Sequence, residues 1–226
     1  MSTAAAVALL ERGGLGVHGA VALESYDALV PPAWRSAAVA PAARGVLVVG
    51  NGGRRLWERF EAAPERRLAR DPLDAYVRRL LEQASQGFAP RAFVGFYADR
   101  RGGAYLPLVA LAQRAGFGAP GRLGVLIHPR FGPWLAIRAV LLVPEALAPA
   151  EPAPFDPCTG CPAPCASACV GGAVGARTLD SEKCYATRLA DPRCAGACAA
   201  RSACVVGPEH AYSAAQLAHH MAIRAS

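Results

Sequence analysis

Residues 158–169 read CTGCPAPCASAC. With Cys184, Cys194, Cys198 and Cys204 they hold all eight cysteines of a 226-residue chain whose first 157 residues contain none. That segregation divides the chain into a long cysteine-free part and a short part whose organisation depends on thiols. The apolar fraction of 53% is ample for a buried core, yet no apolar run approaches the roughly 20 residues of a membrane span. The opening MSTAAAVALLERGGLG has no basic residue before its apolar patch and no cleavage-like site after it. A secretory leader is therefore not expected and a reducing cytoplasm is, where eight thiols serve as metal ligands more readily than as disulfides.

The spacing is Cys158-x2-Cys161-x3-Cys165-x3-Cys169, then Cys184, then Cys194-x3-Cys198-x5-Cys204. Two-cluster ferredoxins use C-x2-C-x2-C-x3-C-P, in which the fourth cysteine crosses to the other cluster. Here the second gap is one residue longer, and Val170 and Val205 stand where each run would carry its proline. Eight cysteines supply two [4Fe–4S] clusters with none left over. The crossover rule assigns Cys158, Cys161, Cys165 and Cys204 to one, and Cys169, Cys184, Cys194 and Cys198 to the other. Competing readings are a structural zinc site, which normally shows two C-x2-C pairs where this chain has one, and disulfides. A radical-type C-x3-C-x2-C fails because its third place falls on Ala168.

Charge is as uneven as the cysteines. Residues 1–150 hold 18 arginines against 11 acidic residues, a balance of +7, whereas residues 151–226 are neutral. A single lysine among 24 basic residues points to codon bias, and no basic block or aromatic-interleaved basic motif occurs. A nucleic-acid partner is not expected on this ground. Each cluster with four thiolates would add about −2 to the neutral part.

Working backwards from the cysteines, EALAPAEPAPFDP (145–157) is a Pro/Ala linker and sets a boundary near residue 150. Before it, RGVLVVGN (44–51) and RAFVGFYA (91–98) read as strands, and RRLWERFEA (54–62) as a helix. DPLDAYVRRLLEQAS (71–85) is a second helix, with Asp71 as N-cap, Pro72 at its first position and Asp74 at its third. YLPLVALAQRAGFG (105–118) is an apolar helix. GVLIH (124–128) and WLAIRAVLLVP (134–144), joined by PRFGP, suit a hairpin. Strands and helices mix without strict alternation, which predicts an α+β domain over 1–150. SAAQLAHHMAIRAS (213–226) is expected to be a helix capped by Ser213, with apolar positions 214, 217, 218, 221 and 223. VVGNGGRR (48–55) matches no phosphate-loop pattern, and His210, His219 and His220 read as surface residues.

The stretch from Cys158 to Cys204, with LDSEKC (179–184), resembles the dicluster domain of the epoxyqueuosine reductases and their corrinoid-dependent relatives. LAQRAGFGAPGRLGVLIHPRFGPWL (111–135) is similar to the segment that precedes it there. The D-S-A-P-x-x-E motif that carries the reductases' catalytic acid is replaced by GGAYLPLVA (102–110), and the sequence stops at 226 without their helical-repeat tail for tRNA.

IHPRFGPWLAIRAVLLVP (127–144), LVPPAW (29–34) and DPLDAYV (71–77) resemble segments of the CblC cobalamin-trafficking family over roughly 29–144. This resemblance implies a nitroreductase-like α+β fold with a pocket for cobalamin, or for flavin in some members. It implies that Gln113, His128, Arg130, Gly132, Trp134 and Arg138 line the cofactor site. Gln113 stands where the family carries a histidine, and Arg138 matches an arginine associated with glutathione contact. Taken without the resemblance, the hairpin is ordinary: Trp134 packs the core, and His128 at a strand end is structural. Tyr105 and Asp99 are proton-donor candidates by position alone.

The combined expectation is a CblC-like sheet-and-helix domain over 1–150, followed over 151–226 by a small ferredoxin-like domain with two [4Fe–4S] clusters. As an oxidoreductase it would pass electrons to cobalamin or another corrinoid. Its partners would be an electron donor or acceptor protein, without membrane. The alternatives are an electron carrier with no substrate of its own and a structural zinc module.

Overall fold

The computed structural model describes residues 2–222. In chain order the regular elements are α1 (Thr3–Arg12), β1 (Val17–Val21), α2 (Leu23–Leu29), α3 (Ser36–Val39), β2 (Gly45–Gly52), α4 (Arg55–Glu61) and α5 (Pro72–Gln86). Then come β3 (Phe93–Phe96), β4 (Arg100–Arg101), β5 (Ala104–Tyr105), α6 (Leu108–Arg114), β6 (Ala119–Pro120), β7 (Leu126–Ile127) and β8 (Leu135–Val143). The cysteine-bearing part contributes α7 (Pro164–Ala168), α8 (Ser181–Ala190), α9 (Ala199–Ser202) and α10 (Ala214–Met221). The chain forms two compact units, one of residues 1–117 and 136–153, the other of residues 118–135 and 154–226. The mixed α+β character expected from the sequence is present.

In the first unit a four-stranded sheet has the order β1-β2-β8-β3, with β1–β2 and β3–β8 antiparallel. Continuous apolar runs in β2 and β8 follow from burial on both faces. Leu47, Val49, Ala139, Leu141 and Val143 meet the buried sides of α1, α4 and α5, while Val46, Val48 and Val140 are as fully buried on the opposite face. α5 buries Leu73, Tyr76, Val77, Leu80, Leu81 and Ala84, the i, i+3, i+4 spacing of one helical stripe. Each large side chain so buried contributes about 1.5–3 kcal/mol.

α5 begins at Pro72 as expected, but Asp71 makes no side-chain capping bond. Its backbone is left-handed (φ 44°, ψ 49°), not the extended conformation that aims a carboxylate at the first amides. The helix expected over 105–118 is shorter: Ala104–Tyr105 pairs with Arg100–Arg101 instead, and Gly116 at φ +80° follows its end. The start of the linker is tied down, for Glu145 accepts hydrogen bonds from the Thr3 amide (2.8 Å) and hydroxyl (2.7 Å).

The expected 124–144 hairpin does not form. β7 pairs with β6, and β8 takes its partners from β2 and β3. Only the bridge His128↔Gly132 joins the two arms of the turn, because Pro133 has no N–H with which to continue a ladder. Segment 118–135 instead packs with the cysteines. Leu123 and Ile127 join Cys165, Val174 and Ala200 in the core of the second unit, beside Cys169, Cys198 and Cys204. A core this small, with Cys165 among its buried residues and three further cysteines packed against it, is of the kind that needs a metal staple.

α10 is capped as expected, the Ser213 hydroxyl accepting from the Gln216 amide at 3.2 Å. Its most buried residue is Gln216, however, and Ala214 and Ala218 of the expected apolar stripe are exposed. Position 223 of that stripe lies outside the described residues. His210, His219 and His220, expected at the surface, are half-buried. All three make ring contacts, His210 on Phe131 (4.7 Å), His220 on Tyr212 (5.4 Å) and His219 on His220 (5.3 Å).

Candidate metal centre

Most cysteines of the second unit are placed by a local device in the neighbouring residues. Asp156 folds the loop at Cys158, its Oδ1 accepting from the amides of Cys158 and Thr159, both at 3.1 Å. Ala163 in the left-handed region and Pro164 at the first helical position start α7, which carries the buried Cys165. Asp180 of LDSEKC caps α8 by accepting from the Lys183 amide (2.9 Å) and so sets Cys184. Asp191 opens the turn that ends at Cys194. Cys198 is itself the N-cap of α9, and Cys204 follows that helix.

The eight thiols fall into two sets. Cys158, Cys161, Cys165 and Cys204 line one cavity with Arg122, Leu123, Ile127, Pro157, Pro164 and Val205. Cys169, Cys184, Cys194 and Cys198 line another. All eight are free, and no three His, Cys, Asp or Glu side chains among the described residues gather closely enough to hold one metal ion. A tetrahedral zinc, with bonds of about 2.3 Å, would draw its sulfurs to about 3.8 Å of one another. Four thiols lining one cavity match the ligand number of a [4Fe–4S] cluster, whose separate irons each take one of them.

The surroundings of the sulfurs are chemically consistent with that use. Backbone amides donate to three of them, Ala163 to Cys161 (3.4 Å), Ala173 to Cys169 (3.2 Å) and Arg201 to Cys198 (3.4 Å). Burial pushes the Cys165, Cys204, Cys184 and Cys194 thiols up, and neighbouring cysteines of the same set push in the same direction. Such thiols stay protonated near neutrality and are poor nucleophiles, so a metal must displace their protons. Between the two sets in sequence, Arg201 stacks on Trp134 (4.9 Å) and Tyr212 (4.7 Å) and donates from Nε to the Pro133 carbonyl (3.1 Å).

The six residues assigned to a cofactor site divide between the units. In the second, His128 Nδ1 accepts from the amides of Arg130 (3.0 Å) and Phe131 (3.2 Å). Trp134 is buried against Tyr212, and Gly132 at φ +56° would, with a Cβ, meet the Val206 carbonyl oxygen at 1.8 Å. These three build the turn, while the Arg130 side chain is exposed. In the first unit Gln113 is half-buried on α6. Arg138 is 6% exposed and donates from Nε to Asn51 Oδ1 at 2.8 Å. Arg138 Nη2 and Asn51 Nδ2 are both buried without an acceptor, a feature that sequence reading missed because Asn51 looked like part of a turn. Asp99 is held by Arg78 (2.7 Å) and the Phe96 amide (3.3 Å), and Tyr105 is exposed.

Burial, then the charge of Arg130, then His210, lowers the His128 pKa to about 4. The unfolded chain then binds the extra proton between pH 6.5 and 4, so stability rises with pH across that window. The turn's contribution is whole above pH 6.5 and is lost as pH falls through about 4. A proton–nitrogen NMR titration should find the His128 ring neutral at pH 5; a midpoint near 6.5 would contradict the turn geometry.

A separate cleft of about 500 Å³ in the first unit is lined by Val39–Ala43, Glu82, Ser85, Pro90–Val94, Leu142 and Pro144. It includes no cysteine and none of the six assigned residues. Its polar groups pair with one another, Arg91 with Ser85 and Glu82, so none is left to direct a reaction there.

No protein-family model matches the sequence, and no curated protein matches it. Solved structures do. The chain is similar to the B12-trafficking protein CblC of C. elegans at 12% identity and a TM-score of 0.55, over 96% of this chain and 91% of that one. It is similar to the epoxyqueuosine reductase of Streptococcus thermophilus at 14% identity and a TM-score of 0.53, over 83% of this chain. It spans only 58% of that reductase's length. A third neighbour is an epoxyqueuosine reductase bound to an epoxyqueuosine-modified tRNA stem loop, at 14% identity and a TM-score of 0.55, over 93% of this chain and 66% of that one. These neighbours lend no support to the expectation that nucleic acid is not a partner. Among the described residues no helix is long and apolar enough to cross a membrane. The similarity establishes a fold held in common with CblC and with the epoxyqueuosine reductases.

Proposed function

We propose that the chain is an iron–sulfur oxidoreductase of a reducing compartment. In this reading its second unit is a ferredoxin-like module with two [4Fe–4S] clusters, on Cys158, Cys161, Cys165 and Cys204 and on Cys169, Cys184, Cys194 and Cys198. Its first unit binds cobalamin or another corrinoid, with flavin the other occupant that the fold suggests. The observation that carries the reading is the separation of eight free thiols into two quartets around two cavities. Those quartets coincide with the crossover spacing.

When bound, such clusters supply electrons one at a time at potentials that reach several hundred millivolts negative. The thiols release their protons to solvent as the metal enters, and the amides donating to Cys161, Cys169 and Cys198 steady the thiolates formed. In the first unit Arg138 and Asn51 present two buried donors with no acceptor. A corrinoid's amide or phosphate oxygens are suitable acceptors, and satisfying such donors recovers about 1–3 kcal/mol each. Gln113 is the second contact assigned to that ligand.

A second reading keeps the clusters and makes RNA the substrate-bearing partner. It is favoured by the likeness to a reductase bound to a tRNA stem loop. A plain electron carrier would need neither ligand.

Anaerobic purification with iron, sulfide and zinc assays tests the module, and cobalamin titration in the visible spectrum tests the first unit. About eight irons per chain with a corrinoid spectral shift supports the first reading. The same iron with no shift but with retardation of a tRNA stem loop supports the second. Iron with neither leaves an electron carrier, and zinc without sulfide overturns all three.

A further inference from the structure

Each cysteine cavity has one arginine among its lining residues. The first is otherwise lined by the four thiols and by Leu123, Ile127, Pro157, Pro164 and Val205, so Arg122 is its only charged side chain. The second is lined by Arg188 with Thr187, whose hydroxyl is already given to the Lys183 carbonyl at 2.8 Å. Neither wall contains a carboxylate, and neither arginine makes an ion pair among the described residues. The same atom is in the same condition in both: Arg122 Nε and Arg188 Nε are buried and hydrogen-bonded to nothing. Arg188 is anchored through Nη2, which donates to the carbonyl of Met221, a residue of the same wall. Its charge opposes the burial that pushes the Cys184 thiol up.

A buried N–H without an acceptor is costly, so its recurrence in two independent walls calls for an acceptor that arrives later. Beyond backbone, the walls offer sulfur as that acceptor. We propose that Arg122 and Arg188 are positioning residues, one for each cluster, whose Nε–H groups donate to a cysteinate or sulfide sulfur and raise that cluster's reduction potential. This rests on the iron–sulfur reading above. Each cluster with four thiolates carries about −2 when oxidised and gains one further negative charge on taking an electron. A fixed cation and a directed donor therefore favour the reduced form more than the oxidised one. The arginines also make the clusters separable, since each guanidinium serves one cavity.

The test is a potentiometric titration with dithionite, followed by EPR, on the full chain and on Arg122→Met, Arg188→Met and the matching lysine variants, with iron and sulfide measured on every sample. Each methionine variant is expected to keep its iron and to lower the midpoint of one signal only. The expected size is about tenfold in the reduced-to-oxidised ratio at fixed poise, about 59 mV for one electron. The lysine variants should recover part of it, by charge without the Nε–H. Unmoved potentials in iron-replete methionine variants overturn the inference while leaving the clusters in place. If a methionine variant loses iron, the lysine variant is read in its stead, and wild-type potentials there count equally against it. Wild-type protein without iron or sulfide overturns the iron–sulfur reading and the inference with it.

Discussion

Replacing Cys204 with serine should halve the iron of the anaerobically purified protein, from about eight to about four atoms per chain, and leave the second cluster spectroscopically unchanged. The grounds are geometric. Cys204 lies far along the chain from Cys158, yet it closes the cavity formed by Cys158, Cys161 and Cys165. Cys169, only four residues after Cys165, lines the other cavity with Cys184, Cys194 and Cys198. If the contiguous run 158–169 held one cluster by itself, Cys169→Ser and Cys158→Ser would remove the same signal. The observed quartets require instead that Cys169→Ser behave like Cys184→Ser. Double substitutions sharpen the contrast: Cys165→Ser added to Cys204→Ser should remove nothing further, whereas Cys198→Ser added to it should empty the protein. Groups that act as one unit are non-additive in this way, and independent ones add. A Cys204→Ser protein that kept about eight irons, or lost all of them, would refute the grouping.

Gly132→Ala is expected to destabilise the second unit by about 4 kcal/mol or more, at the severe end for one methyl group. Two costs combine there. The backbone at φ +56° is left-handed, which costs a residue with a Cβ about 1–2 kcal/mol. The added carbon would also fall 1.8 Å from the Val206 carbonyl oxygen and 2.7 Å from its carbon, backbone atoms that no rotamer change can clear. Gly103 separates the two costs. It has φ +78° but open space within 4 Å, so Gly103→Ala should lose only the conformational part, about 1 kcal/mol. Urea unfolding followed through Trp134, which is buried against Tyr212 in the same unit as Gly132, would measure the first. Backbone amide exchange would measure the second. Equal losses at the two glycines would mean that the close approach at Gly132 is not real.

Local rules carried much of the first unit. The apolar runs Val46–Val49 of β2 and Ala139–Val143 of β8 announce strands covered on both faces, and the stripe Leu73, Tyr76, Val77, Leu80, Leu81 and Ala84 announces one buried side of α5. The Ser213 cap was equally legible, because a cap is decided within three residues. Failures came where distant chain competed. GVLIH and WLAIRAVLLVP, joined by PRFGP, have every local mark of a hairpin, yet β8 spends both of its edges on β2 and β3. Asp71 has the right side chain for a cap and the wrong backbone, and Gln216 fills a buried place that periodicity would give to an apolar residue.

By itself the sequence determined the chemistry available: eight thiols confined to the last third, at a spacing that groups them into two quartets, and a basic part before them. Only the tertiary structure decided that residues 118–135 belong with those thiols, that each quartet lines a cavity of its own, and that an arginine with a buried, unsatisfied Nε lines each one. The physical reason is range. Caps, turns and stripes depend on neighbours within one or two helical turns, whereas sheet order, cavity walls and orphaned donors are set by chain closure over tens of residues. Many sequences with the same local pattern could close in other ways.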